Sequence, residues 1–231
     1  MSDLSRHEAL IGKLCAGSPA VRRLAPPWRR ALGWMAAVAV LGLALSQVSD
    51  LAAMWQRLLG APDMALAASG SALTAALAAL AAFQTSVPGR SRRWPLLPLP
   101  GVLLWLGASG AGCLRAWAAP AAHDPSLIEE RVCLVFIVGV SLPLSLLLGL
   151  MLRRALPLRP GLTAGLGGLA AAAAAATLLN LFHPYDAALS DLVVHVFAVG
   201  LVVAASRLLG GRGLRRMGIA GIPRRPDTSG P

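Results

Sequence analysis

Three cysteines and four histidines hold most of the reactive chemistry this chain offers, and none belongs to a standard motif. Cys15, Cys113 and Cys133 are scattered, with no CxxC pair and no even disulfide framework. Cys113 and Cys133 flank one polar link, residues 115–131, that also contains His123, Asp124, Glu129 and Glu130; His183 lies in another link. Thiolate with imidazole is a soft donor set that suits zinc, copper(I) or cadmium. Cys133 and His183 are therefore candidate ligands of a sensed metal ion, and Cys133, Cys113 and His183 candidate signal-sensing residues. Two other chemistries fit the same cysteines. A disulfide requires Cα atoms within about 7 Å, and a thiol can also serve as a small apolar side chain between helices. The residues leave all three open.

Other constellations are thinner. Asp191 and His195 are four apart at the start of an apolar run, on one helix face, which suits a hydrogen-bonded pair or a proton relay. Ser69-Gly70-Ser71 lacks the GxSG pattern of intramembrane serine proteases, and the chain has no phosphate loop, HExxH or paired catalytic carboxylates. No enzyme and no cofactor are expected.

The elements that must position these groups are six apolar runs, residues 31–49, 64–87, 96–114, 132–152, 161–182 and 191–209. A helix needs roughly 20 residues to cross the hydrocarbon core. The composition agrees: 56% of residues are hydrophobic and 13% charged, against about 25% charged in a soluble domain. Of the 21 Lys and Arg residues, all but Arg57, Arg115 and Arg131 fall on one side of the runs. They sit in the N-terminal segment, in links 88–95 and 153–160, and in the C-terminal tail. Positive charge is retained in the cytoplasm on insertion, so the expected fold is an all-α polytopic membrane protein with both termini cytoplasmic, in a bacterial inner membrane. The net charge of +11 then belongs to anionic headgroups of the lipid bilayer, and direct nucleic-acid binding is not expected. A cleaved signal peptide is not expected either.

Three regions follow: a cytoplasmic segment 1–30, a transmembrane domain 31–209 and a basic tail 210–231 that reads as disordered. The outward links are too short for a folded module. No charged residue lies at mid-depth of a span, which argues against an ion-coupled transporter. Pro143 is expected to kink the fourth span, as a static bend or a hinge. Pro95, Pro98 and Pro100 make the third span start irregularly, and Gly165, Gly167 and Gly168 with 170–176 give the fifth a small-residue packing face.

The N-terminal segment is the one cytoplasmic piece with a pattern. Ser5 and Glu8 form a capping box, Leu4, Leu10, Ile11 and Leu14 share a helical face, and Gly17, Ser18 and Pro19 stop the helix. A proline-broken basic stem, 19–30, follows. Such a helix can lie on headgroups or dock into a groove of a soluble partner. Burying Leu10, Ile11 and Leu14 yields roughly 5–9 kcal/mol gross, and ordering the helix takes back part of it.

Leu10-Ile11-Gly-Lys-Leu14 followed by Pro19-Ala-Val21-Arg22-Arg23-Leu24-Ala-Pro26-Pro27-Trp-Arg29 resembles the opening of the NrsF-type anti-sigma factors. These are six-span bacterial inner-membrane proteins that hold an extracytoplasmic-function sigma factor inactive. Ser86-Val-Pro88-Gly-Arg90, Cys133-Leu-Val-Phe136, Arg153-Arg154-Ala-Leu-Pro157-Leu-Arg159-Pro160, His183-Pro184-Tyr-Asp186 and His195 continue the likeness in order. The resemblance implies a cytoplasmic sigma factor as partner, gripped by the helix at 5–16 and the stem. Leu10, Ile11 and Leu14 would be anchors, Arg22 and Arg23 would orient the contact, and Val21 and Leu24 would add to it. It also implies release by an outward metal or oxidative stress acting near Cys133. One position departs from the pattern: members often carry a second outward cysteine where this chain has His183, so Cys113 or His183 would stand in for it. The alternative class, from the spans alone, is a small transporter or channel.

Overall fold

The computed structural model describes residues 3–16, 24–118, 127–155, 157–182 and 189–214. Every regular element among them is helical: α1 (Asp3–Ala16), α2 (Pro27–Ser46), α3 (Leu51–Gly60), α4 (Pro62–Thr85), a 3-10 turn (Trp94–Leu96), α5 (Leu99–Ala118), α6 (Leu127–Leu152), α7 (Pro160–Leu179), α8 (Leu189–Ala205) and a π-helical turn (Ser206–Gly210). Six helical stretches are long and apolar enough to cross a membrane: Pro27–Ser46, Pro62–Thr85, Trp94–Arg115, Arg131–Leu152, Pro160–Leu179 and Leu192–Leu214. They match the six apolar runs in number and order.

Three boundaries differ from the sequence expectation, each for a local reason. The first spanning helix starts at Pro27, inside the expected stem. Pro26 is extended (φ −53°, ψ 145°) and Pro27 takes the first helical turn, where a missing N–H costs nothing. Trp28, Arg29 and Arg30 are thereby helical. The last helix continues through the π turn to Leu214, into residues assigned to the tail; the rest of the tail lies outside the described residues. Residues 51–60, expected as plain link, form α3. Asp50 caps it, its carboxylate accepting from the Ala53 N–H at 2.9 Å. Leu51, Trp55 and Leu59 repeat every fourth residue and are all exposed, the pattern of a helix lying along a membrane surface.

The bundle is built around α7, which packs against α4, α6 and α8. Ala170, Ala171, Ala172, Ala173 and Ala175 are fully buried. A Cβ on Gly168 would fall 2.6 Å from the Ser206 side chain. The α4–α5 interface is equally close and reciprocal. A Cβ on Gly70 would meet the Trp105 backbone nitrogen at 2.5 Å, and one on Gly101 the Thr74 nitrogen at 2.7 Å. Small residues let backbones approach where lipid supplies no hydrophobic drive. Hydroxyl pairs join α4 to α7, Ser71–Thr177 at 2.9 Å and Thr85–Thr163 at 3.2 Å.

Two polar knots fix which helix ends lie together. At one end Arg30, on α2, donates to the Met151 carbonyl on α6, with its guanidinium 4.7 Å from the Phe83 ring centroid on α4. At the other, Arg115 on α5 pairs with Asp63 on α4 at 2.9 Å, and Arg57 on α3 reaches the Asn180 carbonyl after α7 at 3.4 Å. The helices therefore alternate up and down. The first end gathers Arg90, Arg92, Arg93, Arg153, Arg154 and Arg159, all exposed. α6 stays helical through Pro143. One residue beyond it, the Leu144 carbonyl accepts from the indole N–H of fully buried Trp34 at 3.1 Å.

Candidate functional site

α1 spans Asp3–Ala16, so Ser5, the expected cap, sits within its first turn. It is described as far as Ala16, and the expected stop at Gly17, Ser18 and Pro19 lies outside the described residues. Leu10, Ile11 and Leu14 share one face and are 54%, 59% and 64% exposed. Among the described residues α1 forms no packing interface with the spanning helices. Three large aliphatic side chains, each more than half exposed, thus share one face of a short helix. Leu24 is exposed too, whereas Val21, Arg22 and Arg23 lie outside the described residues.

The basic residues next to this helix divide sharply. Arg29 is exposed and lies 5.1 Å from the Trp28 ring centroid. Arg30, adjacent in sequence, is buried beneath Phe83 and Met151. Both are neighbours at the end of the same basic stem. Nothing in the local pattern separates them, because the ring and carbonyl that claim Arg30 come from distant helices.

The three cysteines are all thiols. Cys133 is buried beside Ile137, Ala175, Leu179 and Ala198, wedged where α6 meets α7 and α8. Cys113 is half-buried on α5, which packs on α4 and α8, whereas α6 packs on α7, α8 and α2. Among the described residues, the third and fourth spans, adjacent in sequence, thus share no extensive interface. His183 lies outside the described residues, but the chain just before it is placed. The Phe182 ring is 5.7 Å, centroid to centroid, from Phe136, one helical turn beyond Cys133. Phe182 therefore meets α6 one helical turn from Cys133. Among the described residues, no three His, Cys, Asp or Glu side chains gather as a metal site. His195 is half-buried on α8, and the Asp191 side chain lies outside the described set.

The family model for NrsF, negative regulator of sigma F, matches residues 14–215. The chain belongs to the NrsF family. No curated protein and no solved structure matches it. The family's description makes it a negative regulator of a sigma factor, a regulatory rather than an enzymatic role, with a sigma factor as partner. The match takes in Leu14, Val21, Arg22, Arg23, Leu24, Cys113, Cys133 and His183, and it leaves Leu10 and Ile11 ahead of its first residue. The six long apolar helices are those of a multi-pass membrane protein.

Proposed function

We propose that this chain is an anti-sigma factor that holds an extracytoplasmic-function sigma factor at the cytoplasmic face of a bacterial inner membrane. The observation that supports this most is α1: an amphipathic helix whose aliphatic face is exposed, in a chain of a sigma-regulator family. The concentration of arginine at the end of the bundle from which α1 leaves favours that end facing inward. Leu10, Ile11 and Leu14 enter a groove of the sigma factor, with Val21, Arg22, Arg23 and Leu24 extending the contact along the stem. Tethering at the membrane keeps the sigma factor from polymerase.

Release is proposed to begin at the opposite end. Cys133 sits at the junction of α6, α7 and α8, so a bond formed there to a thiophilic metal or an oxidant would alter how three spans pack. His183, next in sequence to the Phe182 that lies against Phe136, is the preferred second group, and Cys113, on α5 beside α4 and α8, is the less suited one. A tenfold weakening of sigma binding takes only about 1.4 kcal/mol.

The test is capture by the purified full-length chain in nanodiscs, challenged with the cell's own sigma factors. One extracytoplasmic-function sigma factor should be retained, and the triple variant Leu10→Asp, Ile11→Asp, Leu14→Asp should lose it. Retention unaffected by that variant, or no sigma factor captured, removes the proposal. Solute movement in liposomes with no capture would favour the transporter or channel. A membrane-impermeant maleimide applied to intact cells should react with Cys113 and spare Cys15; the reverse pattern overturns the orientation.

A further inference from the structure

Around its axis, α3 presents three different sectors. At about 100° per residue, Met54, Arg57 and Leu58 share one side, Leu51, Trp55 and Leu59 the next, and Ala52, Ala53, Gln56 and Gly60 the third. The first sector is half-buried: α3 packs on α4, and the Arg57 guanidinium donates to the Asn180 carbonyl at 3.4 Å. The second is apolar and open, with Leu51, Trp55 and Leu59 46%, 60% and 70% exposed. The third is exposed, and its residues are small or polar. A helix at the lip of a membrane bundle meets protein, acyl chains and water in that same order.

Chain connectivity holds α3 at the lip. Residues 47–50 join it to α2, a reach of at most about 18 Å. Only Ala61 separates it from α4. The buried Ala61 closes α3 by donating to the Arg57 carbonyl, and opens α4 by accepting from the Met64 and Ala65 N–H groups. Both neighbours are long enough to span, so α3 stays at the depth of their ends, where tryptophan is favoured. The open sectors carry no charged residue. Without attraction to anionic headgroups, membrane binding scales with the apolar area buried and with how readily the leaflet admits it.

We propose that α3 is a lipid-docking surface. Leu51, Trp55 and Leu59 seat among the acyl chains of the leaflet at their end of the bundle, and Arg57 couples that seating to the end of α7. Asn180 closes α7, and Leu179 just before it is buried beside Cys133. A shift of α3 is thereby passed to the helix at the centre of the bundle. The partner is a lipid surface, read by its packing and not by its charge. This goes beyond the sigma-factor reading and does not rest on it, because docking is read on the purified chain in lipid.

The experiment uses the full chain in phosphatidylcholine nanodiscs, with the spectrum of Trp55→Phe subtracted to isolate Trp55. Its fluorescence should be quenched at least twofold more by lipids brominated near the headgroup than by lipids brominated at the chain ends, and be shielded from aqueous iodide. In the Trp55→Phe background, Leu59→Trp should behave alike and Gln56→Trp should reverse the pattern. Replacing part of the phosphatidylcholine with phosphatidylglycerol should leave the quenching unchanged. Adding cholesterol, which tightens the leaflet, should raise iodide access to Trp55 at least twofold. Amide exchange over residues 176–181 should rise with that tightening, and in Arg57→Ala should no longer follow it. Iodide quenching of Trp55 without bromolipid quenching shows a face in water and overturns the docking. Shielding from both quenchers shows a face covered by a second copy or by another part of the chain, and overturns it too. A lipid response at 176–181 that persists in Arg57→Ala, or is missing from the unsubstituted chain, overturns the coupling.

Discussion

Helices α7 and α8 are both apolar and both long enough to span a membrane, yet they occupy opposite environments. In α7, 83% of the spanning window is buried; in the last span the share is 11%, although that span is the more hydropathic of the two. A soluble protein would bury the more apolar helix. Here lipid tails are as apolar as leucine, so hydropathy gives no preference for the interior. Side-chain size decides instead. The Gly and Ala of α7 let α4, α6 and α8 approach its backbone, while the valines and leucines of α8 gain as much from lipid as they would from protein.

That contrast can be broken most severely at glycine. Gly168→Leu should cost about 3 kcal/mol or more through overpacking against Ser206, seen as a large loss of thermal stability in nanodiscs. Gly200→Leu on α8 should change it by about 0.5 kcal/mol or less, because the added atoms meet open space. Similar losses for the two would mean that α7 is not the packed centre.

The same division applies to charge, at smaller scale. Arg30→Ala should lower stability by about 1.5–3 kcal/mol, the worth of a charged hydrogen bond to a buried carbonyl. Arg29→Ala, one residue away but exposed, should leave the unfolding temperature within error. Arg30→Lys should recover part of the loss, because an ammonium keeps the charge but not the planar stack on Phe83. The smallest effect belongs to the α4–α7 hydroxyls. A double-mutant cycle of Ser71→Ala and Thr177→Val should give a coupling near 0.6 kcal/mol, the average for such pairs in membranes. A zero value would leave close packing alone to hold α7.

The six spans were legible because the bilayer demands uninterrupted apolar length, and the run of 132–152 or 161–182 admits little else. α3 was missed because ten residues are too few for a span, although Asp50 ahead of Leu51 with Trp55 and Leu59 at helical spacing was a readable signal. The aliphatic face of α1 was legible at Leu10, Ile11 and Leu14, but its start was misplaced to Ser5. The close approaches of Gly70 to Trp105 and of Gly101 to Thr74 left no sequence trace, since each glycine answers to a residue on the other helix. The setting of Cys133 was equally hidden.

By itself the sequence determined the number of spans, their order and the side on which arginine collects, because each depends on residues near one another in the chain and on the solvent around them. Tertiary structure alone decided that α7 is the centre, that Arg30 is buried while Arg29 is not, and that Cys133 is buried among α6, α7 and α8 while Cys113 sits on α5 beside α4 and α8. In a bilayer those choices depend on close fit between distant backbones, and fit is a property of pairs that no single stretch of chain contains.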